Sequence, residues 1–314
     1  MFNIFVDGNR GTTGLNVCER LAARDDVNLL TIDPDKRKDP AERKRLINSA
    51  DIVFLCLPDD AAREAVSMID NPNTRVIDAS TAHRTAEGWA YGLPELSPAH
   101  REAIAKGNRV AVPGCHASGF GMLAYPLTAM GFVGSDYPFT VFSVTGFTGG
   151  GTKMISEYGD VMRPTDYETP RQYGLTQNHK HLPEMRAVSG LSDYPTFSPV
   201  VGDFPRGMVV TVPLFSKLMK KSVSVESLRE AFAEYYSGGN MVRVLSAAEV
   251  NGLDGFIGAN QLAGHDSAEI IVTGNDERIM LHARFDNLGK GASGAAMQCM
   301  NIMIGADETK GLTV

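Results

Sequence analysis

The sequence predicts an α/β protein of two domains, a doubly wound parallel-sheet domain followed by an α+β domain with a mixed or antiparallel sheet. Over the first third of the chain, short apolar runs alternate with helical patterns, which is typical of βαβ units and a parallel sheet. From about Tyr137 the runs become longer and β-rich. The 314 residues are about twice the length of a typical domain, which also favours two domains.

Composition excludes several classes of protein. The chain has 43% hydrophobic and 21% charged residues, as globular proteins do, and its net charge of -7 lacks the basic bias of a nucleic-acid binder. The longest apolar run, at 52–58, is too short to span a bilayer, and the first residues lack the features of a signal peptide. We therefore expect a cytoplasmic protein with neither nucleic acid nor membrane as a partner.

The first domain begins with the apolar strand FNIFV, a glycine turn and the helical pattern LNVCERLAARD. Further strands are predicted at 28–33, 50–58 and 75–80, with a helix at 59–69 and a charged stretch at 34–49. The strand-like RVAVP then leads through Gly114 into a helical pattern at 116–132. Cys115 is therefore predicted to lie at a strand-to-helix turn.

The second domain is predicted from β-rich runs, which occupy 139–146, 208–215, 269–274 and 278–286. The last segment, 287–305, is rich in Gly, Ala and Met and is predicted to be a closely packed helix that returns to the first domain. The predicted boundaries are 1–117 with 288–314 for a dinucleotide-binding domain, and 118–287 for a catalytic and oligomerisation domain.

A glycine turn between the first strand and helix is a candidate dinucleotide site. Gly8, Gly11 and Gly14 are spaced GxxGxxG, and they stand where a tight turn and a helix N-terminus would receive a pyrophosphate. A plain glycine turn is the alternative interpretation. The side chains that would add hydrogen-bond donors are those of Asn9, Arg10, Thr12 and Thr13.

The preference between NAD and NADP is left open by the residues after the second strand. Asp33, predicted to end that strand, would bond a ribose 2′-hydroxyl and favour NAD. Lys36 and Arg37, with Lys38, could instead hold a 2′-phosphate, or could form a solvated charged loop.

Cys115 is the candidate nucleophile, because a thiol in the first turn of a helix is favoured as the thiolate. The other three cysteines fall in patterns where cysteine acts as a small buried hydrophobe, and no CxxC pair suggests a disulfide or zinc site. His179, His181 and Glu184 stand together in NHKHLPE and could supply a base and an orienting carboxylate. A metal site and a solvated loop are the alternatives for that segment, and we expect no metal.

Two motifs resemble a known family, N-acetyl-γ-glutamyl-phosphate reductase of arginine biosynthesis in its shorter bacterial form. AVPGCHASG at 111–119 is similar to the family's VPGCYPT segment, and HKHLPE at 179–184 is similar to its HRHxPE segment. His116-Ala117 replaces the usual Tyr-Pro, and Thr152-Lys153 replaces Arg-Lys. Supporting matches are DASTAHR at 78–84, YGLPE at 91–95, TGFTGGGTK at 145–153, VVGDFPRGM at 200–208 and NLGKGASGAAMQCMN at 287–301.

The resemblance implies an NADP(H)-dependent reduction of N-acetyl-γ-glutamyl phosphate to the semialdehyde. Cys115 would carry the acyl group, and His181 would act as acid–base, oriented by Glu184. The resemblance also implies a homo-oligomer, which we expect to be a dimer or tetramer. Side chains expected to bind the substrate are Ser80, Arg84, Lys153, His179 and Arg206, the cationic ones because guanidinium and ammonium groups bind phosphate and carboxylate.

Three other functions use part of the same residue set. An aspartate-semialdehyde dehydrogenase would share the fold and thiol chemistry but lacks the HxHxPE segment. A cofactor-independent thiol hydrolase could use Cys115 with His181 but has no use for the glycine turn. A redox-sensing dinucleotide-binding protein would need no acid–base group.

Overall fold

The computed structural model describes residues 1–314 and divides into two compact units. The first unit consists of Met1–Pro113 and Ala292–Leu312, and the second of Gly114–Gly291 and Thr313–Val314. The chain therefore enters the second unit one residue before Cys115.

The first unit contains a six-stranded sheet in the order β2-β1-β3-β4-β6-β5, and every strand pair is parallel. The predicted doubly wound parallel sheet is confirmed. Its strands are β1 Phe2–Asp7, β2 Val27–Leu30, β3 Ile52–Leu55, β4 Arg75–Asp78, β5 Ala90–Tyr91 and β6 Arg109–Ala111.

Helices of the first unit pack over apolar residues of this sheet, which form two separate core clusters. Because the sheet has helices to cover it, strands such as β3 are apolar throughout and do not alternate with polar residues. The helices are α1 Thr12–Ala22, α2 Pro40–Ser49, α3 Asp59–Ser67, α4 Pro98–Lys106 and α10 Gly294–Ile304. The last of these contributes Met297 and Met300 to one cluster.

The charged stretch at 34–49 contains a helix, α2, that the apolar pattern does not reveal. Asp39 caps its N-terminus, and Pro40 occupies the first helical turn. Arg43 lies buried on this helix and donates from Nε and Nη2 to Asp7 Oδ2, at 3.1 and 3.0 Å. Since Asp7 is the last residue of β1, this ion pair ties α2 to the start of the glycine turn.

The second unit contains a seven-stranded mixed sheet in the order β11-β12-β13-β10-β7-β9-β8. Pairs β7–β9 and β11–β12 are parallel and the others antiparallel, so the predicted mixed sheet is confirmed. The strands are β7 Thr140–Gly146, β8 Arg171–Gln172, β9 Thr196–Gly202, β10 Met208–Phe215, β11 Val242–Val244, β12 Ala268–Asn275 and β13 Arg278–Phe285.

One face of the mixed sheet is covered by α5. Gly119 on this helix lies directly against Val210 of β10 and Phe285 of β13. The opposite face carries the exposed apolar residues Phe142 and Met280. The helices of this unit are α5 Cys115–Ala129, α6 Gly151–Gly159, α7 Leu182–Val188, α8 Val225–Tyr235 and α9 Ala247–Asn251. Across both units, no helix combines the length and apolar character that crossing a membrane requires.

Replacement of Gly119 by alanine should destabilise the protein although alanine favours helix. A Cβ at this position would lie 2.4 Å from Val210 Cγ2 and 2.7 Å from its Cβ, inside a packed interface. We expect the free energy of unfolding to fall by about 1–3 kcal/mol, which is the usual cost of overpacking a core. Denaturant unfolding measures this. Gly238→Ala is the control, because a Cβ there meets no atom within 4 Å. Equal stability of the two variants would contradict the packing argument.

Candidate active site

The candidate nucleophile, Cys115, stands at the start of a helix. β6 ends at Ala111 and α5 begins at Cys115, with Gly114 as its N-cap residue. The Cys115 side chain is half-buried. Backbone N–H groups and the positive end of the helix dipole favour a thiolate there.

The other cysteines lie in less reactive surroundings. Cys299 is buried, and Cys18 and Cys56 are half-buried and pack against the core of the first unit as small hydrophobic side chains. Burial raises the pKa of both the Cys18 and Cys56 thiols. They are therefore poorer nucleophiles than a thiol at a helix N-terminus.

The imidazole of His181 lies directly against Gly114, the residue before the thiol. A Cβ on Gly114 would lie only 2.2 Å from His181 Nε2, so the ring occupies the space that any other side chain would need. His181 is buried and immediately precedes α7. This close approach brings a proton-transfer group to the turn that carries Cys115, although 66 positions separate it from Cys115 in the sequence.

Glu184 acts on the same turn through a hydrogen bond. Its Oε2 accepts from the Gly114 N–H at 3.1 Å, and the residue is almost fully buried. A buried N–H without an acceptor is costly, so the carboxylate stabilises the turn before Cys115. Its role in orienting His181 stays a prediction.

Two further histidine rings pack beside His181. The ring centroids of His179 and His181 are 4.7 Å apart, and those of His116 and His181 are 5.5 Å apart. His179 Nδ1 accepts a hydrogen bond from the His181 N–H at 3.1 Å. His179, expected to bind substrate, therefore also fixes the backbone that presents His181.

The structure adds three residues to the site that sequence reasoning missed. His116 Nδ1 is 2.7 Å from Ser143 Oγ on β7, and His116 Nε2 is 2.6 Å from the Tyr173 hydroxyl. Burial, with a smaller effect of His179, lowers the pKa of His116 to about 3, so this imidazole is neutral at physiological pH. The only sequence signal was the position of His116 directly after Cys115.

The candidate anion-binding residues of the second unit differ in their exposure. Lys153 on α6 is largely exposed, with Nζ 3.8 Å from a carboxylate oxygen of Glu157. Arg206 is paired with the buried carboxylate of Asp286 at 2.8 Å. Arg206 must therefore exchange or share this partner if it binds a substrate anion.

Ser80 and Arg84 lie in the first unit, within a hydrogen-bonded loop that follows β4. The Ser80 hydroxyl donates to Asp78 at 2.7 Å and accepts from the Ala82 N–H, so it serves the loop rather than pointing outward as a substrate ligand would. Arg84 Nε donates to the Val112 carbonyl at 2.9 Å. His83 completes the loop, bonding Asp78 at 2.6 Å and stacking on Trp89.

The glycine turn has the geometry that the motif predicts for a dinucleotide site. Gly8 has a φ of +90°, and a Cβ there would lie 2.2 Å from the Cys56 carbonyl oxygen. A Cβ on Gly14 would lie 2.3 Å from the Gly8 carbonyl oxygen, so both positions require glycine. At Gly11, in contrast, no atom lies closer than 3.9 Å to the site of a Cβ.

The position of this turn in the sheet also fits a dinucleotide. β1 pairs with β2 on one side and β3 on the other, so the turn after β1 lies at the switch point of the sheet, where such ligands bind. Thr12 Oγ1, in the first turn of α1, is buried without a hydrogen-bond partner. An orphaned hydroxyl beside a helix N-terminus fits a bound pyrophosphate. Asn9 and Thr13 are half-buried, and Arg10 is exposed.

Asp33 does not end the second strand, which stops at Leu30. It caps a short 3₁₀ helix, Pro34–Lys36, and accepts from the Asp35 N–H at 3.0 Å. The prediction of its position is wrong because the chain leaves the sheet three residues earlier. Lys36 is exposed, while Arg37 Nε donates to the Pro34 carbonyl at 2.8 Å.

No three His, Cys, Asp or Glu residues are grouped so that they could hold a metal ion.

Comparisons with known proteins agree with this architecture. Residues 35–106 match the family model described as "Semialdehyde dehydrogenase, NAD binding domain", and residues 115–287 match "Semialdehyde dehydrogenase, dimerisation domain". Aspartate-semialdehyde dehydrogenase II of Vibrio cholerae, in complex with ASA, has a TM-score of 0.70 at 13% identity, covering 97% of this chain and 98% of its own. A probable aspartate-semialdehyde dehydrogenase of Pseudomonas aeruginosa has a TM-score of 0.71 at 13% identity, covering 96% and 98%. The fold, the turn that carries Cys115 and the two family models together assign this chain to the semialdehyde dehydrogenase class.

Sequence relatives define the family more narrowly. N-acetyl-gamma-glutamyl-phosphate reductase 2 of Nostoc sp. is 45% identical, with 98% of each chain covered. The enzyme of the same name from Pseudomonas putida is 43% identical, again with 98% of each chain covered, and the N-acetyl-gamma-glutamyl-phosphate reductase of Sinorhizobium medicae is 45% identical, covering 96% of this chain and 99% of its own. This chain belongs to the N-acetyl-γ-glutamyl-phosphate reductase family, which confirms the resemblance drawn from its motifs.

Replacement of Gly114 by alanine should impair the site without unfolding the protein. The added Cβ would force His181 Nε2 away from its position, and a displacement of about 1 Å at a reacting group can cost roughly 10²-fold in rate. We therefore expect kcat of the reductase reaction to fall by about that factor. Gly159→Ala is the control, since a Cβ there meets no atom within 4 Å. Unchanged kcat in Gly114→Ala would show that this contact has no catalytic role.

Proposed function

We propose that this chain is a cytoplasmic enzyme that uses NADPH to reduce N-acetyl-γ-glutamyl phosphate to N-acetylglutamate semialdehyde, with release of phosphate. Membership of the family supports the substrate and the direction of the reaction. The single observation that supports the chemistry is the His181 ring held against Gly114, next to a thiol at the start of α5. A nucleophile and an acid–base group are the two protein groups that this reaction needs.

Cys115 is the proposed nucleophile. Its thiolate attacks the acyl carbon, a carbon–sulfur bond forms, and the carbon–oxygen bond to phosphate breaks as phosphate leaves. The product is a thioester on Cys115. N–H groups of the first turn of α5 would stabilise the oxyanion at each tetrahedral stage, and each such donor is often worth about 3 kcal/mol.

His181 is the proposed acid–base residue. Hydride addition to the thioester gives a tetrahedral adduct on Cys115. As this adduct collapses, the carbon–sulfur bond breaks, the aldehyde leaves, and His181 donates a proton to the departing sulfur. His116 is unsuited to this role because both of its ring nitrogens are hydrogen-bonded and its pKa is lowered to about 3 by burial and by His179. His179 is engaged with the His181 backbone through Nδ1.

The first unit is the proposed site of NADP(H), and the second unit the proposed site of catalysis. Gly8, Gly11 and Gly14, with the hydroxyl of Thr12, would hold the pyrophosphate at the N-terminus of α1. When bound, the reduced nicotinamide supplies the hydride that converts the thioester to the aldehyde level. Lys36 and Arg37 are proposed to hold the 2′-phosphate.

Substrate anions are proposed to meet Arg84, Lys153 and Arg206, with His179 as a further polar contact. Lys153 is the most exposed of the cations and can reorient most easily toward a phosphate. Ser80 is proposed to support the loop that presents Arg84.

A homo-oligomer, either a dimer or a tetramer, is the proposed assembly. The match of residues 115–287 to a dimerisation domain supports self-association. Phe142, Phe215 and Met280 lie on the sheet face opposite α5 and are 46%, 47% and 37% exposed, so this face carries apolar surface that a second copy could cover.

Replacement of Cys115 by serine should abolish the reductase activity and leave NADPH binding intact. A hydroxyl is far less acidic than a thiol, so the helix N-terminus cannot generate a useful alkoxide. We expect kcat to fall by more than about 10³, since loss of a covalent nucleophile can cost on the order of 10⁶. The assay follows NADP⁺ reduction with N-acetylglutamate semialdehyde and phosphate, and calorimetry follows NADPH binding.

Mass spectrometry provides the matching test of the intermediate. With acyl phosphate and no NADPH, wild-type protein should gain one acyl mass on the Cys115 peptide. Acylation at another residue, or turnover by the serine variant, would refute the thioester mechanism. Activity with β-aspartyl phosphate in place of the N-acetylated substrate would refute the proposed specificity.

The cofactor preference should depend on Lys36 and Arg37. Replacing both with alanine should weaken NADPH binding by about 100-fold or more, because charge-assisted hydrogen bonds contribute roughly 1.5–3 kcal/mol each, while NADH binding should not change. Calorimetric titration with each cofactor measures this. Lys44→Ala, an exposed lysine of α2 paired with Asp70, is the control. Equal affinity of the wild type for NADH and NADPH would contradict the proposal.

A further inference from the structure

Beside Cys115, three polar side chains form a continuous hydrogen-bonded chain that the proposed mechanism does not use. Ser143 Oγ is 2.7 Å from His116 Nδ1, and His116 Nε2 is 2.6 Å from the Tyr173 hydroxyl. Ser143 and His116 are 0% and 2% exposed, so neither is hydrated in place of these bonds. We call this set the Ser143–His116–Tyr173 relay.

The direction of each hydrogen bond in the relay follows from its chemistry. A neutral imidazole has one donor and one acceptor nitrogen. Ser143 is completely buried and has His116 Nδ1 as its hydrogen-bond partner, so its hydrogen would be buried and unpaired if the hydroxyl only accepted. Tyr173 is partly exposed, so its hydrogen does not carry the same cost. Ser143 therefore donates to Nδ1, and Nε2 carries the proton and donates to the oxygen of Tyr173. The hydroxyl hydrogen of Tyr173 is left to point away from His116.

Cys115 lies near Tyr173, and its sulfur is a hydrogen-bond acceptor when it is ionised. Burial, and to a smaller extent the negative charge of Cys115, raises the pKa of Tyr173. The phenol therefore keeps its proton, and it lies close enough to the sulfur for the two groups to interact electrostatically. His116 follows Cys115 directly in the first turn of α5, which holds the relay at a fixed position relative to the thiol.

We propose that the Tyr173 hydroxyl donates a hydrogen bond to the sulfur of Cys115 and stabilises its thiolate, with His116 and Ser143 as the residues that position it. The inference rests on the proposed role of Cys115 as nucleophile. A hydrogen bond to an anionic sulfur would add to the effect of the helix N-terminus.

Other charged or titratable groups around the thiol are unchanged by a substitution at Tyr173. They come from α7 and the segment before it, from the segment before β10, and from the segment that follows β13. They are His179, His181, Glu184, Arg206, Asp286 and Lys290. Their combined effect is therefore common to wild type and variant.

The test is the pH dependence of Cys115 alkylation by iodoacetamide, followed on its peptide by mass spectrometry. In Tyr173→Phe the midpoint of the alkylation profile should rise by about one pH unit or more, because a hydrogen bond to a charged group is lost. At a fixed pH below both midpoints, the variant should be alkylated about tenfold more slowly than the wild type if its midpoint is one pH unit higher. This readout needs neither substrate nor cofactor.

Tyr236→Phe is the matched control. The Tyr236 hydroxyl is also buried and donates to the Met122 carbonyl of α5 at 2.7 Å, so its loss perturbs the same helix without touching the relay. Its midpoint should equal that of the wild type. At His116, a glutamine can place an amide nitrogen near the position of Nε2, whereas an asparagine is too short. His116→Gln should therefore shift the midpoint less than His116→Asn.

Two results would overturn the inference: a midpoint in Tyr173→Phe within error of the wild type, or an equal shift in Tyr236→Phe. If Tyr173→Phe fails to fold, the alkylation midpoints of His116→Gln and His116→Asn test the inference instead. Equal midpoints for these two variants would reject the relay. Failure of the proposed function is a separate result, because it would appear as turnover by Cys115→Ser whatever the alkylation midpoint of the wild type.

Discussion

The contact between the His181 ring and the α-carbon of Gly114 is the constraint on which the candidate site depends. It requires a residue without a side chain directly before Cys115, and it brings α7 to the first turn of α5. Glu184 secures the same turn by accepting the Gly114 N–H. The His181 ring therefore contacts the α-carbon of Gly114, and the Glu184 carboxylate accepts a hydrogen bond from its nitrogen. Because both groups come from a distant part of the chain, tertiary structure fixes the direction in which Cys115 projects.

Three histidines lie within one cluster, yet their environments give them different chemistry. His116 is buried with both nitrogens bonded, and burial lowers its pKa, so it stays neutral and holds a hydrogen-bond direction. His179 uses Nδ1 to fix the backbone of its neighbour. His181 presents Nε2 to the thiol turn. Because His116 carries no charge, it does not repel a protonated imidazole on a neighbouring ring.

The sequence predicted the sheet types and the thiol turn because these depend on local patterns. Apolar runs separated by helices define the parallel sheet, and a strand followed by Gly114 and a helix defines the position of Cys115. Helix α2 was missed because its stabilising contact is a buried ion pair between Arg43 and Asp7, which looks like an ordinary charged loop in the sequence. The Ser143–His116–Tyr173 relay was missed for a related reason. Its hydrogen bonds join residues that are 27 and 57 positions apart, and no pattern of residue spacing in the sequence predicts such contacts.

The cationic residues show why a site cannot be read from charge alone. Arg206 is paired with Asp286, which is completely buried and would be costly to leave without partners. Asp286 also accepts backbone N–H bonds from Leu288 and Gly289 through Oδ1. These bonds remain if the guanidinium turns away, so the carboxylate does not depend on Arg206 alone. Since Arg206 is one-third exposed, it can exchange Asp286 for a substrate anion at a smaller cost than a fully buried pair would impose. Asp286 balances the charge of Arg206 before substrate binds. Arg206 can therefore bind a substrate anion only if its side chain turns away from Asp286.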